Sequence, residues 1–128
     1  MSFSNYLEDA VLNHVFTNTA LTSPTTVYVS LHTANPAEDA SGAEVSTSGT
    51  GYARQSATFS VTSGTATTTA AVEYPTATAS YGTVTHVGVW DASTAGNMLA
   101  YAALTTSKAI SSGDVFRIPT GDLDISLD

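Results

Sequence analysis

The sequence predicts a mainly β protein: a single-domain antiparallel β-sandwich, jelly-roll or Ig-like, of about six to eight strands with one N-terminal α-helix. Three observations carry this. After Pro24 apolar residues alternate with a period of two along most of the chain. Turn-forming "SG" and "GD" pairs punctuate the alternating stretches. The composition is hydroxylated rather than charged, with 42% hydrophobic residues but only 11% charged ones, against a usual charged share of about 25%. Low hydrophobicity with high charge would mark a disordered chain, and this is the opposite. The 128 residues read as one domain, 1–128, with enough chain for its own core.

The helix is expected over 4–17. Phe3, Tyr6, Leu7, Ala10, Val11 and Val15 recur at three- and four-residue spacing, which makes one apolar face for docking on a sheet or a neighbouring subunit. Ser4 or Asn5 suits the N-cap, Glu8 and Asp9 suit the positive end of the helix dipole, and Asn18 suits the close. In the first strand, 25–33, Val27, Val29 and Leu31 point one way and Tyr28, Ser30 and His32 the other. A polar loop follows over 34–50, and a loop of that length reads as a contact arm or a mobile surface. Strands are then expected over 51–61, 65–74, 82–91, 97–106, 114–119 and 121–128. In 82–91 the alternation puts Val84, His86, Gly88 and Trp90 on one face and Thr85, Val87, Val89 and Asp91 on the other. In 121–128, Leu123, Ile125 and Leu127 face in, while Asp122, Asp124, Ser126 and Asp128 face out and blunt a strand edge.

The inventory for chemistry is poor. With no cysteine, disulfides, thiolate metal sites and cysteine nucleophiles are excluded. His14, His32 and His86 stand on separate elements without HxH or HExxH spacing, so no metal site is read from them. A base at His86 oriented by Asp91 fails because alternation points them apart. "TSGTG" and "TSGTA" lack the GxSxG spacing of a nucleophile elbow. The acids Glu38, Asp39 and Glu44, and those of "DLDISLD", read as solvated surface rather than a glycosidase pair. Tyr52, Tyr74, Tyr81, Trp90 and Tyr101 read as core or subunit-contact residues ahead of a sugar platform. No catalytic residue, cofactor or metal is expected. A net charge of -8 with three cations argues against nucleic acid as a partner. No apolar run approaches the ~20 residues that cross a bilayer, and the acidic start does not match a secretory signal.

The stretches "NYLEDAVLNHVF", "VYVSLHTANPAEDASGAEVS", "GYARQ", "YPTATASYGTVTHVGVWDA" and "GNMLAYAALTTSKAISSGD…GDLDISLD" together resemble a family of small tailed-phage virion proteins labelled tail-fibre-like. The resemblance spans nearly the whole chain in a fixed order. It departs at Arg117 and Pro119, where small or apolar residues are commoner, and at Trp90, where phenylalanine is typical. It implies a non-enzymatic structural protein, made in the host bacterial cytoplasm and carried in the virion.

Two virion roles follow. A capsid decoration (cement) protein would bind and stabilise the assembled head, with the major capsid protein as partner. Size favours it, since fibres usually need long repetitive stretches or trimeric stems. The alternative is a tail-fibre or tail-associated protein that contacts tail proteins and the host surface. Self-association is expected in either role. The expected contact residues are Tyr6, Leu7, Val11 and His14 for docking the helix. Glu38, Asp39 and Glu44 would meet basic patches on a partner, Arg54 would pair with a partner acid, and His86 and Trp90 would pack at an interface.

Overall fold

Threonine- and valine-rich sequence with frequent turns folds into short strands, and one helix precedes most of them. The computed structural model describes residues 1–127; Asp128, the last residue of the expected 121–128 strand, lies outside them. Strand β1 (Ser2–Phe3) leads into helix α1 (Asn5–Phe16). There follow β2 (Val27–His32), β3 (Gln55–Ala57), β4 (Phe59–Thr62), β5 (Thr65–Thr68), β6 (Val72–Glu73), β7 (Gly82–Trp90), β8 (Met98–Ile110), β9 (Arg117–Ile118) and β10 (Asp124–Ser126). They form three antiparallel sheets, in the orders β1-β8-β7-β2-β3, β10-β5-β4 and β6-β9. The architecture is mainly antiparallel β, a sandwich with an N-terminal helix.

The core lies between the large sheet and the smaller ones. Val29 and Leu31 of β2, Val84, Val87 and Val89 of β7 and Ala100 of β8 meet Val72, Ile118, Phe116 and Leu123. Three tyrosines fill its middle. Tyr52 stacks on Tyr74 at 6.1 Å and meets Tyr81 edge-on at 5.7 Å. The buried Tyr74 hydroxyl donates to the Val29 carbonyl at 2.8 Å, so the phenol enters the core without an unsatisfied group.

More strands form than expected, because two expected strands each break in two and Ser2–Phe3, ahead of the helix, pairs with β8 as an additional strand. In 51–61 the chain crosses from one sheet to another at Thr58: β3 pairs with β2, whereas β4 pairs with β5. Residues 51–54 join no strand, since Tyr52 and Arg54 turn towards Glu44 instead. The 65–74 stretch divides between β5 and β6 at Thr69–Ala71. The expected 97–106 strand runs on to Ile110, while 114–119 and 121–128 shrink to β9 and β10. Leu127, expected to face in, is 63% exposed, because β10 ends at Ser126.

The face assignment in β7 also needs correcting. The register with β8 slips between Val84, opposite Lys108, and His86, opposite Ala103. That irregularity breaks the alternation, so Val84 joins Val87 and Val89 in the core and parts from His86.

Helix α1 is capped as its sequence requires. The Ser4 side chain accepts from Leu7 N at 3.2 Å and donates to the Met98 carbonyl. Its C-cap is Thr17 rather than Asn18. The expected docking face is only partly used. Leu7, Ala10 and Val11 are half-buried, against β1 and β8, but no helix residue is buried, and Tyr6, Leu12, Val15 and Phe16 are exposed.

Candidate functional site

The chemistry-bearing side chains gather on the outer face of the β2–β7 pair. Ser30 and His32 project there, opposite Gly88 and His86 in the ladder, and directly opposed residues share a face. Glycine at 88 is a space requirement. A Cβ there would lie 2.8 Å from Ser30 Oγ, 3.0 Å from Trp90 Nε1 and 3.2 Å from His32 Nε2. The room it leaves is filled by a short chain of hydrogen bonds. The Trp90 indole N–H donates to Ser30 Oγ at 2.7 Å, and Ser30 Oγ lies 2.7 Å from His32 Nε2.

Arg54 lies across this group with its guanidinium carbon 3.7 Å from the centre of the Trp90 ring. Its Nε and Nη2 grip the Glu44 carboxylate, at 3.0 Å to Oε2 and 2.8 Å to Oε1. Its Nη1 donates to the carbonyls of Ala92 and Ala95 at 3.0 and 2.9 Å. One side chain therefore clamps the 34–50 loop, the turn after β7 and the indole face. Tyr52 completes the clamp by donating to Glu44 Oε2 at 2.8 Å while accepting from Leu31 N at 3.0 Å.

Burial sets the ionisation of these groups. Desolvation holds His32 below its ordinary value of 6.5, reinforced by Arg54 and His86 and only partly opposed by Glu44 and the Gly42 backbone. Its Nδ1 is buried without a hydrogen bond of normal geometry. Burial pushes Glu44 up, but the bonds from Arg54 and Tyr52 outweigh it, and the carboxylate stays below the usual range. Burial and the Glu44 charge raise the Tyr52 phenol far above its ordinary value.

A serine beside a histidine invites a nucleophile reading, and exposure decides against it. Ser30 and His32 are 0% and 1% exposed, so no substrate reaches either. Asp91 does not orient His86. It closes the following turn, accepting from Asn97 N at 2.7 Å and from Asn97 Nδ2 at 2.9 Å, while His86 Nδ1 lies 2.8 Å from Thr85 Oγ1. Among the described residues no group of three His, Asp or Glu side chains is placed to hold a metal ion, and no helix is long and apolar enough to cross a membrane.

Six of the ten expected contact residues come together at the turn after β7. Tyr6, Glu38, Asp39 and Trp90 line a shallow cleft on one side of it, with Asn5 and Asn97. Glu44 and Arg54 line another on the other side, with Ser46, Thr47, Ser93 and Thr94. The remaining four lie apart. Leu7 is half-buried under the helix, and Val11 lines a groove with Met1, Phe3 and Leu127. The exposed His14 accepts from Leu21 N at 3.1 Å, and His86 is half-buried on β7. Two expectations change outright. Arg54 does not wait for a partner acid, and Glu44 does not reach for a partner base, because each is the other's partner within the chain. Sequence reasoning missed Ser30, His32 and Tyr52 as members of the cluster. The available signal was "VSLH", which puts two polar side chains on one face of a strand, together with the glycine in mid-strand at 88.

The family model described as "Podophage GP4 fiber I protein gp80" matches residues 2–126. The chain belongs to this family. It is a structural protein of a tailed-phage virion, and the match spans every element from β1 to β10. No curated protein matches the chain at a significant level. Within this fibre family, the clamped Trp90 cluster is the part of the present chain where the expected contact residues concentrate.

Proposed function

We propose that this chain is a fibre component on the tail side of the virion, and that it presents the end around the Trp90 turn to the host surface. The observation that carries the reading is the match of nearly the whole chain to a family described as a podophage fiber protein. The size argument for a capsid decoration protein loses its force with that match, since a fibre family aligns with almost all of a chain this short. The site supports the reading in a second way. Helix α1 bears the exposed Tyr6 and Asn5 of the first cleft and loop residues bear its Glu38, Asp39 and Asn97, while Arg54, Glu44 and Tyr52 fix the loops to the sheet, so the surface is pre-formed for contact. The buried Ser30–His32 pair serves as part of that support rather than as a catalyst.

The test is competition for adsorption. Excess purified chain added to host cells should slow adsorption of the phage that carries it. Unchanged adsorption, together with stoichiometric binding to empty heads and a raised head melting temperature, would overturn the fibre reading in favour of decoration.

A further inference from the structure

Of the three histidines in the chain, His32 alone is walled off from water. It ends β2 where the long loop begins, and residues 33–43 fold back over it as a strap. The Thr33 N–H donates to the Ala43 carbonyl at 2.9 Å and the Gly42 N–H to the Pro36 carbonyl at 3.2 Å, which closes the strap on itself. The Gly42 backbone reaches the His32 ring. It also lies so close to Pro36 and the Asn35 carbonyl that a Cβ there would run into both. The Ala37 and Ser41 N–H groups are held within the strap, by Asn35 Oδ1 and Asp39 Oδ1. Among the described residues one hydrogen bond ties residues 33–43 to the rest of the chain, from the Asn5 N–H to the Glu38 carbonyl at 3.1 Å. Pro36 is the one buried residue of the segment. Few outward bonds and little buried apolar surface make a segment that opens without the core.

We propose that the strap is an acid-released latch: a proton taken up by His32 detaches residues 33–43 from the end of β2 and withdraws Glu38 and Asp39 from the cleft beside the Trp90 turn. The covered ring has no place for a second proton. Ser30 Oγ accepts the Trp90 N–H, and its own proton has two acceptors, His32 Nε2 at 2.7 Å and the Gly88 carbonyl at 3.3 Å. The nearer one takes it, which puts the proton of the neutral ring on Nδ1, where it has no hydrogen bond of normal geometry. Protonating Nε2 turns that acceptor into a donor and forces the Ser30 hydroxyl onto the long bond to Gly88. A buried cation then remains with its Nδ1–H unpaired. The charges around it are divided. Arg54, on the segment before β3, and His86, across the ladder on β7, oppose a cation. Glu44, just beyond the strap, favours one, but its carboxylate is committed to Arg54 and to the Tyr52 hydroxyl. Lifting the strap gives the ring water instead. As a gate on host contact the latch rests on the reading given above, whereas the release itself does not.

Amide hydrogen exchange followed by NMR on the full chain, with no host component present, tests it. The open strap lets His32 titrate at its ordinary 6.5, and the closed one only below that. The opening constant should therefore rise as pH falls through 6.5, by up to about tenfold per pH unit. Between pH 7.5 and 5 the protection of the Thr33, Gly42 and Asn5 amides should drop by up to about thirtyfold. Glu44 and Asp39 stay out of this window, because both are held below the usual carboxylate range. Low urea separates release from global unfolding: the strap amides should be less protected than Tyr74 N, which is bonded to the Phe116 carbonyl, and should ignore urea that weakens Tyr74. His32→Gln should abolish the drop. A chain with His14→Gln and His86→Gln, which keeps His32 as its only histidine, should retain it, and decides the matter if His32→Gln does not fold. Protection unchanged from pH 7.5 to 5 overturns the proposal, as does a drop that survives His32→Gln or is lost in the double variant. So do strap amides as protected and as urea-sensitive as Tyr74, since His32 would then meet water only when the whole chain unfolds.

Discussion

Replacing Arg54 by alanine should cost the fold about 3 kcal/mol. Breaking a buried ion pair by removing one partner typically costs about 3–5 kcal/mol, because the remaining charge is left desolvated. The Arg54 side chain is 7% exposed and that of Glu44 is 25% exposed, and Glu44 keeps the Tyr52 hydroxyl. Partial access to water and that remaining bond put the cost at the lower end of the range. Loss of the contact over Trp90, worth about 0.5–2 kcal/mol, and of the bonds to the Ala92 and Ala95 carbonyls offsets part of this relief. For a domain of this size, about 3 kcal/mol lowers the melting temperature by roughly 10–15 °C. Urea unfolding followed by the fluorescence of Trp90, the only tryptophan in the chain, reads the change directly, since the probe lies under the substituted group. Glu44→Ala and the double variant complete a cycle, and the coupling should be about 1.5–3 kcal/mol. A loss below about 1 kcal/mol, the range of an exposed pair, would refute the clamp.

Other perturbations probe neighbouring parts of the molecule. His32 is held below its ordinary value of 6.5 mainly by burial, so the unfolded chain takes up a proton that the folded chain refuses. Stability should therefore fall as pH drops below about 7, with a slope of up to about 1.4 kcal/mol per pH unit, and His32→Gln should flatten urea midpoints measured between pH 7.5 and 5. Glu44, also lowered, acts in the same direction but only below its ordinary 4.5, so the two windows separate. Gly88→Ala should cost about 1–3 kcal/mol in a thermal melt, since its methyl would stand 2.8 Å from Ser30 Oγ; an unchanged melting temperature would show that the space is not needed. Phe16 is 77% exposed, so Phe16→Ser should leave urea stability within about 0.5 kcal/mol, and a larger loss would mean that the helix end is packed.

The parts of the fold that local periodicity determines were legible in the sequence. Helix α1 and strands β2 and β7 lie within two residues of their expected ends, because capping and alternation are written in adjacent residues. The breaks at Thr58 and at Thr69–Ala71 were not legible, since a strand that changes sheets keeps its β-branched composition. The slip between Val84 and His86 was hidden for a related reason: a period-two pattern carries no mark of where the partner strand bulges. At the site, residue types were legible and pairings were not. Arg54 and Glu44 were each recognised as contact-makers, but only the return of the chain through Tyr52 makes each the other's contact. The exposed apolar end of α1 had the same cause. Its spacing announced an apolar face, and the width of sheet available beside β1 and β8 limited how much of it was covered.

Immunogold labelling of intact virions with an antibody to this chain tests the assignment most directly. Gold on the fibres, with the head shell bare, is the expected result. Gold distributed over the head, with none on the fibres, would contradict it and return the chain to the capsid surface.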